Sequence, residues 1–140
     1  VAKAGAVGAD TGNDVVLGCD TLVVLDGVVL GKPDDASAAR TMLARLSGST
    51  HKVVTGFAVL GPGNAVTGIT VTRVTMLPYN SSDAARYVAT GEPFDKAGAY
   101  ALQGDAARFV ARIEGSRSNV IGLPLEALFP VLHRFGIMAR

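Results

Sequence analysis

The sequence predicts a single α/β domain, and three observations carry that prediction. Runs rich in Val, Ile and Thr occur in pairs joined by turn dipeptides, the pattern of antiparallel hairpins. Between those pairs, apolar residues recur at helical spacing. The chain has 140 residues, of which 49% are apolar and 18% charged, so it can bury one core and is not driven to disorder by charge.

The elements follow in order. Val1–Val7 reads as the end of a helix. Asp14–Asp20 is a short apolar stretch that ends in Asp20-Thr21 and reads as a buried strand. Leu22–Leu25 and Val28–Leu30 flank Asp26-Gly27, a dipeptide suited to the positive φ of a type I′ hairpin turn. Gly31-Lys32-Pro33 leads into a helix that Asp34 can cap; Ala36, Ala39, Met42, Leu43 and Leu46 share one face, and Gly48 closes it. Lys52–Leu60 and Ala65–Leu77, joined by Gly61-Pro62-Gly63-Asn64, read as a second antiparallel pair. Ser82 or Asn80 can cap a helix over Asp83–Thr90 that Gly91 and Pro93 end. Asp95–Asp105 reads as an irregular loop, Ala107–Ile113 as a strand, Gly115–Leu123 as a polar loop, and Pro124–Phe135 as a final helix with Pro in its first turn.

Composition narrows the function classes. Net charge is +1 and no segment concentrates Lys and Arg, which argues against duplex nucleic acid or an anionic membrane as a partner. No apolar run approaches the ~20 residues of a membrane span. A single cysteine excludes an internal disulfide framework, and no Cys/His set has zinc-site spacing. The start of the chain lacks the apolar stretch of a signal peptide. Glycine is in excess, with 17 residues, several beside polar or charged side chains, as expected where backbone is shaped around a ligand.

Four polar clusters could carry chemistry: Asp20-Thr21, Gly31-Lys32-Pro33, Asp95–Tyr100 with Gln103-Gly104, and Ser116–Asn119. A carboxylate at a strand end can hold Mg²⁺ or orient a water. Lysines act as point charges on phosphate, and glycines beside them let backbone approach a ligand. This is equipment for phosphoanhydride chemistry, although no P-loop pattern occurs. Each residue also has a plainer reading. Asp20 could cap a turn, Lys32 could be solvated, Lys96 could pair with Asp95, and Gln103 could bond loop backbone. Cys19 reads as a small buried side chain, Arg117 and Asn119 as loop braces, and His133 as a surface residue; Tyr87, Phe129 and Phe135 read as packing.

The strings themselves are more specific. Leu17-Gly18-Cys19-Asp20-Thr21-Leu22-Val23-Val24, Leu30-Gly31-Lys32-Pro33, Thr50-His51 with Val54-Thr55-Gly56, Tyr87–Pro93, Asp95-Lys96-Ala97-Gly98-Ala99-Tyr100, Gln103-Gly104 and Ser118–Pro124 occur in that order. Together they resemble the Maf family of nucleotide pyrophosphatases over nearly the whole chain. The resemblance implies a Maf/ITPase-like fold, a long mixed sheet with flanking helices forming two lobes around a central cleft. It implies hydrolysis of dTTP, UTP and modified pyrimidine triphosphates to the monophosphate and pyrophosphate. Asp20 matches the family's catalytic carboxylate, which acts with a divalent cation, Mg²⁺ or Mn²⁺. Thr21 and Gln103 match the two positions that mark the dTTP/UTP subgroup. Lys32 matches the lysine near the phosphates, Asp95 and Lys96 match a string lining the same cleft, and Lys3 resembles a further family lysine. A homodimer in the cytoplasm is implied as well. The family also opens with a Ser-x-Ser-Pro-Arg-Arg loop that has no counterpart here, so residues 1–140 are expected to be one Maf-like domain lacking that segment. Two other readings stay open: a pyrophosphatase for purine or other modified nucleotides, and a nucleotide-binding regulator of septum formation with little turnover.

Overall fold

The computed structural model describes residues 14–137. Its centre is a five-stranded sheet in the order β2-β1-β3-β4-β5, with β1 at Val16–Leu25, β2 at Val28–Leu30, β3 at Thr50–Gly61, β4 at Asn64–Met76 and β5 at Val110–Glu114. Every ladder among the described residues is antiparallel. Helices α1 (Ala36–Leu46), α2 (Ser81–Ala89), α3 (Arg117–Ile121) and α4 (Leu125–Arg134) complete the framework.

The turns form where the sequence expects them. Asp26 and Gly27 both adopt positive φ, at 50° and 78°, and let β2 fold back on β1. β3 and β4 pair along their whole length, from Thr50↔Thr75 to Gly61↔Asn64, around Pro62-Gly63. Four expectations need correction. Asp14–Asp20 and Leu22–Leu25 are one strand, because β3 pairs continuously from Val16↔Leu60 to Val24↔Lys52; Asp20-Thr21 therefore lies within a strand and not at its end. The cap of α1 is Asp35, one residue on from Asp34, whose carboxylate accepts from Ala38 N at 2.7 Å. The region from Glu92 to Phe109 contains three short 3₁₀ turns, so strand β5 starts only at Val110. The polar stretch after Gly115 contains helix α3, started by the Ser116 side chain, which accepts from Asn119 N. The helix expected at Val1–Val7 lies outside the described residues.

The inner face of the sheet is apolar at both ends and polar in the middle. At one end Val23, Val53 and Val74 pack with Leu43 and Leu46 of α1 and Tyr87 and Val88 of α2. At the other, Phe57 and Val59 pack with Leu128 of α4, and Cys19 and Phe135 lie against them. Phe57 lies across β4 at Gly68, where an added Cβ would stand 2.4 Å from its ring. Between the two clusters run Thr21, Thr55 and Thr70, aligned across β1, β3 and β4, with Thr72 of β4 beside them. Helix α3 covers this row with Asn119, which is fully buried and whose two Nδ2 protons are shared among Val53 O, Thr70 O and Thr72 Oγ1 at 3.1, 3.2 and 2.9 Å. Phe129, read as packing, is instead half exposed on the outer side of α4.

Segment Asp95–Tyr100 is pressed onto β1 at Gly98, which has φ +74° and whose added Cβ would meet the Val23 side chain at 2.9 Å. Its N–H donates to Gly31 O at 3.1 Å, so the two lysine-bearing segments are tied to each other. Ala99, at φ 66°, follows in the left-handed region that costs an L residue ~1 kcal/mol. We predict that Gly98→Ala lowers stability by about 2 kcal/mol or more, through backbone strain plus overpacking against Val23. The urea midpoint reads this directly; an unchanged midpoint would show that the segment does not depend on close approach.

Candidate active site

The cleft opens at an edge of β1. Because β2 pairs only with Val23–Leu25, no described strand flanks β1 from Val16 to Leu22 on that side. A cavity of about 210 Å³ lies there, bordered by Asp20, Thr21, Lys32, Asp95, Lys96 and Tyr100, with Val120, Ile121 and Gly122 of the α3 end closing it. Asp20, Lys32, Asp95 and Lys96 are exposed to solvent, and Thr21 is half-buried. The structure thus brings together five of the seven residues singled out from sequence. Gln103 is exposed on the turn after Tyr100 and does not border the cavity; Lys3 lies outside the described residues.

Local geometry explains the convergence. Lys32 follows β2 directly, and the Gly98–Gly31 hydrogen bond carries Asp95 and Lys96 to the same rim. Lys96 Nζ stands 3.5 Å from Asp95 Oδ2, a loose exposed pair that leaves the ammonium free to meet another anion. The turn that bears Gln103 is held from α2 and its C-terminal extension: Ala101 N donates to Tyr87 Oη at 3.0 Å and Asp105 N to Glu92 Oε2 at 3.4 Å. The cleft therefore offers two lysines, two carboxylates and an aliphatic and glycine wall. That combination suits a polyphosphate beside a flat heterocycle.

The donor set also bears on a cation. Asp20 and Asp95 supply carboxylate oxygens, the hard donors that Mg²⁺ or Mn²⁺ takes. Among the described residues no group of three or more His, Cys, Asp or Glu could hold a metal alone. Such a site fits a cation that draws most of its ligands from water and substrate phosphates.

Sequence reasoning did not single out Thr55, Thr72 or the packing role of His51. Period-two alternation places Thr55 and Thr72 on the apolar inner face, which was the available signal. His51, with no recognisable partner in the sequence, is buried and its Nε2 lies 2.7 Å from Tyr100 Oη, with the rings edge to face. Tyr100 in turn borders the cleft. Burial pushes the Tyr100 phenol up, so it stays protonated, and pushes the His51 imidazole down from 6.5 to about 4.

A second concavity, of about 480 Å³, lies on the outer face of the sheet and includes Lys52, Arg73, Arg112, Glu114 and Asp26. It is larger than the cleft, but Arg112 is already paired with Glu114 at 2.8 Å and the concavity contains none of the seven site residues read from the sequence.

The state of His51 gives a pH prediction. The unfolded chain takes up this proton near pH 6.5 and the folded chain only near 4, so the unfolded state binds more protons in between. Stability is present in full above about pH 6.5 and falls as pH drops toward 4, by up to about 3 kcal/mol from this group. His51→Gln removes that contribution, so its urea midpoint declines less steeply over the window than the wild type's. Parallel declines would rule out the buried neutral imidazole.

Residues 1–135 match the family described as Maf-like protein. Similar proteins bear the name dTTP/UTP pyrophosphatase. One from Moorella thermoacetica is 51% identical over 139 residues, covering 98% of this chain and 72% of its own. One from Koribacter versatilis is 45% identical over 136 residues, covering 97% of this chain and 70% of its own. A third, from Geotalea uraniireducens, is 47% identical over 137 residues, covering 96% and 71%.

Proposed function

The chain belongs to the Maf family, and on that premise we propose that it is a nucleoside triphosphate pyrophosphatase acting on dTTP, UTP and modified pyrimidine triphosphates. The observation that carries the reading is the convergence of Asp20, Thr21, Lys32, Asp95 and Lys96 on one cleft from three separate segments. The names of the similar proteins support the pyrimidine substrates.

The chemistry follows from the charges. A triphosphate lying along the rim meets Lys32 and Lys96, which offset its negative charge where a solvent-exposed carboxylate pair would otherwise repel it. Water attacks the α-phosphorus; a P–O bond to the water oxygen forms, the bond from that phosphorus to the α–β bridging oxygen breaks, and pyrophosphate leaves with its electron pair. Asp20 takes the proton that the attacking water gives up. Its carboxylate would also hold Mg²⁺ or Mn²⁺, which when bound supplies further charge neutralisation on the phosphates. The aliphatic side chains of Val120 and Ile121 and the bare backbone of Gly122 leave room for a flat base beside Thr21, and Gln103 would complete base recognition from the turn after Tyr100. On the same reading the residues form a single domain, Lys3 adds a cation to the phosphate site, and the protein acts as a cytoplasmic homodimer.

Asp20→Asn keeps the size of the side chain and removes its ability to accept a proton. In the full-length protein it lowers pyrophosphate release from UTP by a factor of about 100 or more, while nucleotide binding and the melting temperature stay near wild type. Near-normal turnover would remove Asp20 from its role, and release of orthophosphate alone would overturn the site of cleavage.

A further inference from the structure

The threonine row constrains which way its protons point. Thr55 is fully buried on β3, and its hydroxyl has two oxygen neighbours among the described residues, Thr21 Oγ1 at 3.0 Å and the Asn119 carbonyl at 3.5 Å. A hydroxyl has one proton to donate. When Thr55 donates to Thr21, the carbonyl contact is lost and the row makes one hydrogen bond. When Thr55 donates to the carbonyl, Thr21 donates to Thr55 and the row makes two. A carbonyl can only accept, so the buried end of the row sets its polarity.

The carbonyl is held independently of Thr55. It also accepts from Gly122 N at 2.9 Å, and the Asn119 side chain is anchored on Val53 O, Thr70 O and Thr72 Oγ1. Thr72 uses its full capacity, since its hydroxyl accepts from Asn119 Nδ2 and Ser116 N and donates to Ser116 O. At the other end of the row, Thr21 borders the cleft next to Gly122, where an added Cβ would stand 3.6 Å from Thr21 Oγ1. Glycine there keeps the hydroxyl approachable.

We propose that Thr55 is a positioning residue that holds the Thr21 hydroxyl as an acceptor toward the cleft, so that this position selects a base with a ring N–H. Uracil and thymine carry such a donor at N3, whereas N3 of cytosine is an acceptor and meets lone pair against lone pair. The inference rests on the pyrimidine triphosphate reading above and assigns its discrimination to a residue that does not border the cleft.

Thr55→Val keeps the shape of the side chain and removes the hydroxyl. Thr21 then loses its proton acceptor and can turn its own proton into the cleft. In the full-length protein, the ratio of kcat/KM for pyrophosphate release from UTP over CTP falls about tenfold in Thr55→Val, partly through a gain on CTP. Thr55→Ser, which restores the hydroxyl, returns the ratio to the wild-type value; a merely structural role would not produce this shift in base preference. If the valine variant does not fold, Thr55→Cys, a weak donor and acceptor, is measured in its place and gives a fall of the same sign. An unchanged ratio in a folded variant overturns the proposal and leaves the pyrophosphatase reading intact. A wild type that releases no pyrophosphate from UTP overturns both.

Discussion

Buried polar groups in a sheet face have to be satisfied from the element packed against them, and here that requirement organises the domain. Thr21, Thr55, Thr70 and Thr72 interrupt an inner face whose other buried residues are, His51 apart, apolar, and each unpaired buried hydroxyl or carbonyl would cost about 1–3 kcal/mol. Asn119 resolves most of this at one position, through two amide protons shared among three acceptors and one acceptor contact at its backbone oxygen. Helix α3 is therefore fixed over the middle of the sheet. The two apolar clusters are kept apart on either side of it, and the end of α3 becomes one wall of the cleft.

The opposite wall comes from a different constraint. Strand β2 is short, so among the described residues no strand flanks β1 at Asp20 and Thr21 on that side. The backbone of Gly98 and Ala99 is bent through the left-handed region, and this brings Asp95 and Lys96 back to that edge, tied to the Gly31-Lys32 segment. Side chains within a strand alternate between faces, yet both Asp20 and Thr21 reach the same cavity because the cavity wraps around the strand edge. A hydrolytic site needs a charged rim open to water and a drier recess for recognition. The edge supplies both, with the exposed carboxylates and lysines outside and the threonine row inside.

Much of this was legible in the sequence, and the exceptions have physical reasons. Asp26-Gly27 and Gly63 announced their hairpins because positive φ is a local, residue-specific demand. Ser82 and Asn80 both offered a cap for α2, and the reciprocal bonds between Asn80 and Asp83 decide for Asn80. The continuity of β1 through Asp20-Thr21 was not legible, since it depends on β3, some 35 positions away, pairing across the polar dipeptide. Helix α3 read as a loop because only five of its residues are helical and its stability comes from Asn119 and the Ser116 cap, not from an apolar stripe. The motif strings placed Asp20, Thr21, Lys32, Asp95 and Lys96 together ahead of any coordinates. They included Thr55 and His51 but assigned them no role, because those roles come from what stands opposite them in space. Gln103 was named by the same strings but lies outside the cavity, at a turn that α2 and Glu92 hold in place.

The edge of β1 is the proposed seat of a pyrimidine triphosphate, although the outer face of the sheet offers a larger concavity with three cations. A crystal structure of the full-length protein with a nonhydrolysable α,β-imido analogue of dUTP distinguishes the two most directly. The predicted result puts the triphosphate between Asp20, Lys32 and Lys96 and the uracil N3–H against Thr21 Oγ1. A nucleotide bound among Lys52, Arg73 and Arg112, or a base turned away from Thr21, would contradict it.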